Sequence, residues 1–343
     1  MAEKGKYIYG IISEQIGLNA SKLEAEGLEL ISHKDIQAVV KDLEIENNFN
    51  MTKEETAKML VQHQQTIEKI MNIGCSIVPM KLGTYAADKN EIENILSKGY
   101  SFIKNITDEA TGKVEIDIIA LWSDFAATLK EVSEEKEISE FKQKLMADPT
   151  KITIEDQKQI GIMIGTALAG KKKDYADKIH KALAGVSVHA IPHEVMNDQM
   201  LLNTAFLINK NETAQFDSMV DEVNAEFDDK LKFRYVGLLP CYSFYTLEVE
   251  HVDLEDIEWA KKKLTLNDTA DLKEIKKAYK AEAMKVHPDK NIGKIGVEDE
   301  FDDLNSAYKT ISAYCIAFAG QGERCSFRKS DIDNNTVIIK LKD

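Results

Sequence analysis

Four lysines and a His-Pro-Asp tripeptide are the residues of this sequence whose types and spacing are best suited to bind a charged partner. They lie within "IKKAYKAEAMKVHPDKN", residues 275–291, and are Lys276, Lys277, Lys280, Lys285, His287, Pro288 and Asp289. A row of ammonium groups steers an acidic surface into register, and a carboxylate at its end can accept two hydrogen bonds from one arginine. Such a run can contact a charged partner, and the alternative is a solvated basic face followed by a chance turn.

Two amphipathic helices must hold these residues at an exposed tip. Asp271 followed by Glu274 is typical of a helix start, and Pro288 ends the helix because a proline forces the preceding residue out of helical geometry. The apolar positions of the first helix are Leu272, Ile275, Tyr279, Ala283 and Val286, and those of the second are Val297, Phe301, Leu304, Tyr308 and Ile311. Two such helices with a short connection pack antiparallel, which leaves the tripeptide in the loop between them.

This segment resembles a J domain, the co-chaperone module that engages DnaK-type chaperones. "LKEIKKAYKAEAMKVHPDKN" matches the second helix and loop of that family, and "EDEFDDLNSAYKTIS" matches its third helix. The resemblance implies that the lysine row docks on the chaperone and that the His-Pro-Asp loop triggers ATP hydrolysis. Two positions depart from the family pattern: Ala281 replaces a basic residue, and Glu282 stands where leucine is frequent.

The composition narrows the classes of partner and compartment. The chain has 343 residues and a formal net charge of −15, so nucleic acid and anionic membranes are poor partners for it. We expect a cytoplasmic protein, because the first residues have no signal-peptide core and no apolar run reaches the length of a membrane span. The nearest run is "IGIMIGTALAG" at 160–170, and its small residues predict close helix packing in a core. The four cysteines are far apart in sequence and predict neither a disulfide framework nor a zinc site.

The order of strand and helix patterns predicts an α+β fold followed by an all-α module with an antiparallel helical hairpin. We place an N-terminal α+β domain at 1–122, a helical connector at 123–184 and a second α+β domain at 185–253. The J domain then occupies 254–315. The tail, 316–343, ends in one strand-like stretch that we expect to pair with a sheet edge.

The larger part of the chain, about residues 5–250, resembles the GvpF/GvpL family of gas vesicle proteins. "YIYGII", "HQQTIEKIM", "IVPMKLGTYAADKNEIENIL", "LLNTAFLI" and "YVGLLPCYSFYTLEV" follow in the family's order. The family motifs are carried by Pro79, Lys81, Gly83 and Thr84, and later by Gly237, Pro240, Tyr242, Ser243 and Phe244. Lys81, Gly83, Thr84, Gly237, Pro240, Tyr242 and Phe244 are candidates for shell-subunit binding, with turn formation or core packing as the alternative for each.

The second resemblance implies two α+β units, ferredoxin-like in outline, joined by helices. It also implies an accessory protein of gas vesicle assembly, with the GvpA-like shell subunit and other accessory proteins as partners and the gas vesicle as its location. The combined prediction is an adaptor that binds the apolar shell subunit and recruits a DnaK-type chaperone.

Two other functions are left open by the sequence. One is a general J-domain co-chaperone whose α+β part binds other clients. The other is a ferredoxin-like enzyme or small-molecule sensor that carries a J domain. We expect no enzymatic activity, no cofactor and no metal, because the sequence has no phosphate-binding, dinucleotide, hydrolase or zinc-protease motif, and we find no nucleophile–base pair. His189 and His193 in "HAIPH" share one face of a strand but have no further ligands at suitable spacing.

Overall fold

The computed structural model describes residues 3–13, 20–45, 52–251, 254–286, 296–319, 324–332 and 337–342. They form two compact units. The first unit joins Met1–Glu109 to Thr246–Asp343, and the second is Ala110–Tyr245.

The first unit begins with an antiparallel sheet in the order β2-β3-β1-β4, with β5 also paired to β1. The strands are β1 (Glu3–Ser13), β2 (Glu29–His33), β3 (Ile36–Ile45), β4 (Ile77–Pro79) and β5 (Tyr85–Ala86). Helices α1 (Ala20–Ala25) and α2 (Lys53–Asn72) complete a β-α-β-β-α-β unit, followed by α3 (Lys89–Lys98) and α4 (Tyr100–Ala110). This order of elements and strands is ferredoxin-like, as predicted.

Side-chain capping at the start of α2 and a glycine after its end determine where this helix begins and ends. The Thr52 side chain accepts the backbone N–H of Glu55 at 3.2 Å, and the Glu55 carboxylate accepts the backbone N–H of Thr52 at 2.7 Å. This reciprocal pair is a capping box, which fixes the start of the helix. The helix ends before Gly74, whose φ of +102° is readily adopted only by a residue without a side chain.

The second unit is also ferredoxin-like, with the antiparallel strand order β7-β8-β6-β9. Its strands are β6 (Lys113–Trp122), β7 (His189–Pro192), β8 (Met200–Asn209) and β9 (Leu231–Leu239). Helices α5 (Phe125–Ser133), α6 (Lys136–Met146) and α7 (Ile154–Ala184) lie between β6 and β7, and α8 (Thr213–Ala225) lies between β8 and β9.

The position of β6 corrects the predicted domain boundary at residue 122. We assigned this strand to the N-terminal domain, but it pairs with β8 and β9 of the second sheet. In a β-α-β-β-α-β unit the first strand is central, so β6 must lie between the third and fourth strands of its own unit. The connector helices at 123–184 are therefore the first crossover of the second unit.

The expectation that "IGIMIGTALAG" packs in a core is wrong. These residues lie in the N-terminal half of α7, where none is buried and Ile162 is 60% exposed. A side chain added at Gly161, Gly165 or Gly170 would meet no other atom within 4 Å. The buried residues of α7, Ile179 and Leu183, are both near its C-terminal end. The helix is thus anchored by its second half.

The predicted J-domain region is helical, with α9 (Leu254–Lys263), α10 (Leu272–Val286) and α11 (Val297–Ala319). Ala270, just before α10, contacts Cys315 near the end of α11, while Tyr279 in α10 donates a 2.6 Å hydrogen bond to Asn305. The two helices therefore run antiparallel. Their predicted apolar faces, where the structure describes the side chains, supply Ile275, Leu304 and Ile311 to one buried core.

The tail returns to the first unit as two short strands and a helical turn. Strand β11 (Thr269–Ala270) pairs with β12 (Cys325–Ser326), and α12 (Lys329–Ile332) follows. The last strand, β13 (Val337–Leu341), pairs antiparallel with β10 (Leu247–His251). The tail thus contributes an edge strand as expected. Its partner β10 was assigned to the second α+β domain, but it pairs here with β13 and touches Met80, so it belongs to the first unit.

Candidate functional site

Helix α10 presents its lysines to solvent. Its first turn is closed by two hydrogen bonds: the backbone N–H of Glu274 to the Asp271 side chain at 2.8 Å, and that of Asp271 to the Glu274 side chain at 3.0 Å. Lys276, Lys277 and Lys280 are exposed and form no ion pair within the described part of the chain. Within that part of the chain no carboxylate neutralises these three charges, so they face solvent.

Lys285 differs from the other three lysines. Its ammonium group lies 2.8 Å from a carboxylate oxygen of Glu282 on the preceding turn. An exposed pair of this kind contributes only about 0–1 kcal/mol, so a partner carboxylate can replace Glu282 at small cost. His287, Pro288 and Asp289 lie outside the described residues. Helix α10 ends at Val286, immediately before them.

One further residue of the lysine face was missed in the sequence, because the prediction rested on the charges of α10. Met284 lies on the same side of α10 as Lys277 and Lys280 and is 61% exposed. Methionine is enriched at protein–protein interfaces, so Met284 is a candidate contact of this face. The spacing could have identified it, because residue 284 lies seven positions after Lys277 and four after Lys280. It was missed because methionine carries no charge.

Lys81, Gly83 and Thr84 form a tight turn between β4 and β5. The Thr84 hydroxyl donates to the Lys81 carbonyl at 2.6 Å, and Gly83 has a φ of +83°. The Lys81 backbone N–H donates to the Leu247 carbonyl at 2.7 Å, and its ammonium group pairs with Glu248. The contacts of these three residues are therefore made inside the first unit.

A buried pair of side chains, Tyr7 and His63, contacts this turn. The Tyr7 hydroxyl lies 2.7 Å from Nδ1 of His63 and also accepts the Gly83 backbone N–H at 3.3 Å. Burial lowers the pKa of His63 to about 4, although a hydrogen bond to the Met80 carbonyl opposes the change. His63 is therefore neutral at pH 7, with one ring nitrogen accepting a hydrogen bond and the other donating one.

The late family motif surrounds a buried carboxylate that the sequence motifs did not predict. Glu115 in β6 is 2% exposed and accepts two hydrogen bonds from Ser243, from the backbone N–H at 2.7 Å and from the hydroxyl at 2.8 Å. Burial raises the pKa of Glu115 to about 7, against the lowering effect of the Ser243 contacts. Burial also raises the pKa of the neighbouring Asp117, while the charge of His193 lowers it. The sequence feature that could have revealed this buried carboxylate is the pair of acids, two positions apart, within the apolar strand "KVEIDIIALW".

Gly237, Pro240, Tyr242 and Phe244 build the segment that carries Ser243. Gly237 lies at a bulge of β9, where an added Cβ would come within 3.1 Å of the Glu115 carbonyl. Pro240 is buried, its carbonyl accepts the Tyr242 backbone N–H at 2.7 Å, and the Cys241 carbonyl accepts that of Phe244 at 3.2 Å. Pro240, Tyr242 and Phe244 thus help form the turn that delivers Ser243 to Glu115.

A nucleophile–base pair does occur, contrary to our expectation. The Ser243 hydroxyl lies 3.2 Å from Nε2 of His193. The same hydroxyl donates its proton to Glu115, so the histidine must direct an N–H group at the Ser243 oxygen. The carboxylate and the histidine together hold the Ser243 hydroxyl in place.

The described residues contain no cluster of three His, Cys, Asp or Glu side chains that could hold a metal ion. No described helix is both long enough and apolar enough to cross a membrane. A cavity of about 270 Å³ beside α2 is lined by residues that include Tyr7, Tyr9, His63 and Tyr85. It is smaller than the roughly 300–1,000 Å³ of most small-molecule sites.

The ferredoxin-like units and the helical module with its exposed lysine row define an α+β protein that carries a J domain. Comparison with known proteins agrees. The family model "Gas vesicle synthesis protein GvpL/GvpF" matches residues 5–246, and the model "DnaJ domain" matches residues 262–314. The chain belongs to the GvpL/GvpF family of gas vesicle synthesis proteins and has a DnaJ domain near its C-terminal end.

Individual relatives support both assignments. The chain is 24% identical to gas vesicle protein F of Dolichospermum flosaquae over 248 residues, which cover 71% of this chain and 98% of that protein. The crystal structure of GvpF from Anabaena sp. PCC7120 superposes with a TM-score of 0.59 at 20% identity, over 71% of this chain and 98% of that one. The chaperone protein DnaJ of Clostridium novyi is 49% identical over 49 residues, which are 14% of this chain and 13% of that protein.

Both resemblances seen in the sequence and the predicted fold class are thereby confirmed. Family membership gives the chain an accessory role in gas vesicles, and the J domain links it to a DnaK-type chaperone.

Proposed function

We propose that this chain is an adaptor for gas vesicle assembly in the cytoplasm, which binds the apolar shell subunit and recruits a DnaK-type chaperone. The observation that carries the proposal is the face of Lys276, Lys277 and Lys280, exposed and unpaired in the described residues, on a chain that otherwise belongs to a gas vesicle family. A shell subunit with an apolar gas-facing side would aggregate before assembly. An adaptor that delivers it to an ATP-driven chaperone would keep it soluble.

An apolar edge strand in the second unit supports client binding. Strand β9 pairs on one side with β6, and among the described strands it has no neighbour on its other side. Tyr235, Val236 and Leu238 on this strand are 41–46% exposed. Such an edge can add a strand from another polypeptide, and its apolar side chains favour an apolar client.

We also propose that the chain works by binding and not by catalysis. What supports this is the Ser243 hydroxyl, whose proton is donated to a carboxylate that also accepts the Ser243 backbone N–H. The group is thereby arranged as a structural contact.

The test separates chaperone recruitment from shell-subunit binding. His287→Gln and the charge reversal Lys276→Glu/Lys280→Glu should each abolish stimulation of the chaperone's ATPase, while both variants still retain the shell subunit in a pull-down. The double reversal Lys262→Glu/Lys309→Glu, at exposed positions of α9 and α11 outside the lysine face, is the matched charge control. Point variants are preferable to deletion of 254–343, because that deletion removes β13 and leaves β10 unpaired.

Two outcomes would contradict the adaptor. If the His287 and lysine variants stimulate ATP hydrolysis like the wild type, the recruiting role is wrong. If the wild type does not retain the shell subunit but retains unrelated unfolded proteins, the chain is a general co-chaperone.

A further inference from the structure

Two of the four cysteines meet inside the J-domain core, although they are ten positions apart in the sequence. Cys315 near the end of α11 is 1% exposed, and Cys325 in β12 is 3% exposed. The Cys315 thiol lies 3.7 Å from the carbonyl oxygen of Ala270, and Cys325 is the ladder partner of the same Ala270. Both residues therefore lie beside Ala270 in one buried core, where a hydrogen bond from the Cys325 side chain reaches Cys315.

This contact makes the two thiols chemically unequal. Hydrogen bonding from Cys325 lowers the pKa of Cys315, against the effect of burial. The same contact, together with burial, raises the pKa of Cys325. Because the thiolate is the attacking species in thiol–disulfide exchange, Cys315 is the first nucleophile of the pair.

We propose that Cys315 and Cys325 form a thiol–disulfide site that takes a low-molecular-weight disulfide such as glutathione disulfide as its oxidant. The Cys315 thiolate attacks one sulfur of glutathione disulfide, which forms a mixed disulfide and releases one glutathione thiolate. Deprotonated Cys325 then attacks the Cys315 sulfur and displaces the second glutathione. The two cysteines lose two protons and two electrons, and one glutathione disulfide is reduced to two glutathione molecules.

The bond would tie the tail to the J domain at the start of the lysine helix. Arg324, next to Cys325, lies 3.0 Å from the Glu274 carboxylate and donates to the Thr269 carbonyl at 2.9 Å. The Phe327 backbone N–H donates to the Asp268 carbonyl at 2.8 Å, and its ring is buried. In the reduced protein these non-covalent contacts can open together. In the oxidised protein, the covalent bond keeps β12 on α11.

Peptide mapping of the full-length chain tests the site. The reduced protein is equilibrated with glutathione disulfide in excess over glutathione, with and without urea below the unfolding transition to admit the oxidant, and is then alkylated and digested. We expect one linked peptide pair containing Cys315 and Cys325, two hydrogens lighter than the free peptides, with Cys75 and Cys241 alkylated. Cys325→Ser should abolish the pair, whereas Cys75→Ser should leave it unchanged. Two alkylated thiols or two separate glutathione adducts at 315 and 325 would overturn the proposal.

Limited proteolysis tests the consequence. Trypsin can cleave after Arg328 or Lys329, which are exposed but lie beside the buried Phe327 and Ile332. Oxidation should slow this cleavage at least tenfold in the wild type, because the tail must open to enter the protease. In Cys325→Ser the oxidant should change nothing. Equal cleavage rates for reduced and oxidised wild type would refute the clamp.

Discussion

Replacing Glu115 by Gln should make the second unit more stable at neutral and alkaline pH while leaving it nearly unchanged near pH 4.5. The amide keeps both contacts with Ser243, because its oxygen can accept the backbone N–H and its NH₂ group can donate to the hydroxyl. The variant therefore removes the ionisation of Glu115 without removing its packing.

The magnitude follows from the raised pKa. Burial moves the pKa of Glu115 from 4.5 to about 7, which at about 1.4 kcal/mol per pH unit corresponds to about 3 kcal/mol. Between these two pH values the folded state binds more protons than the unfolded state, so the unfolding free energy falls as pH rises. Glutamine has no such dependence. The variant should thus gain about 3 kcal/mol relative to the wild type between pH 4.5 and pH 8.

Urea denaturation followed by tryptophan fluorescence measures this difference. The chain has two tryptophans. Trp122 is buried at the end of β6, the strand of Glu115, while Trp259 lies in α9. In a Trp259→Phe background the signal reports the second unit. Glu140→Gln, at an exposed position of α6, controls for the loss of one charge. A stability difference between the wild type and the Glu115→Gln variant that stays constant from pH 4.5 to 8 would refute the reasoning.

Three further predictions concern the first unit. Ala281→Arg extends the exposed basic face of α10 and should tighten chaperone binding several-fold at low salt, with the gain lost as salt is raised in a binding titration. Gly10→Ala would bring a Cβ within 2.6 Å of Ile77 and the Val78 carbonyl, so it should lower the unfolding free energy by about 2–3 kcal/mol in urea denaturation. The lowered pKa of His63 predicts that stability falls as pH drops from 6.5 towards about 4, and a His63→Gln chain without this slope would confirm the assignment.

The predictions that succeeded rest on local patterns. Helix α10 begins where Asp271 and Glu274 lie three positions apart, and the Asp271 side chain accepts the Glu274 backbone N–H as predicted. The apolar stripe of α10 reaches the core because its period is that of the helix. The lysine row is exposed for the same reason, since it lies on another side of the helix.

The predictions that failed depend on pairings between residues that are far apart in the sequence. Nothing in "KVEIDIIALW" states which sheet the strand joins, and its partners lie about a hundred residues further along the chain. Ser243 and Glu115 are 128 positions apart in the sequence, so their hydrogen bond could not be predicted from the local pattern around either residue. The exposed half of α7 misled us because small residues indicate close packing without indicating whether the packing partner is in the same chain.

The pairing of β10 with β13 has a mechanical consequence for the J domain. The chain leaves β10 at His251 to enter the module and comes back at Val337, and these two residues face each other in the ladder. A pull on the module would draw both strands from the same end and in the same direction. The ladder would therefore move with the module as one piece, and the load would pass into the first unit at Leu247, the other end of β10, whose carbonyl accepts the Lys81 backbone N–H.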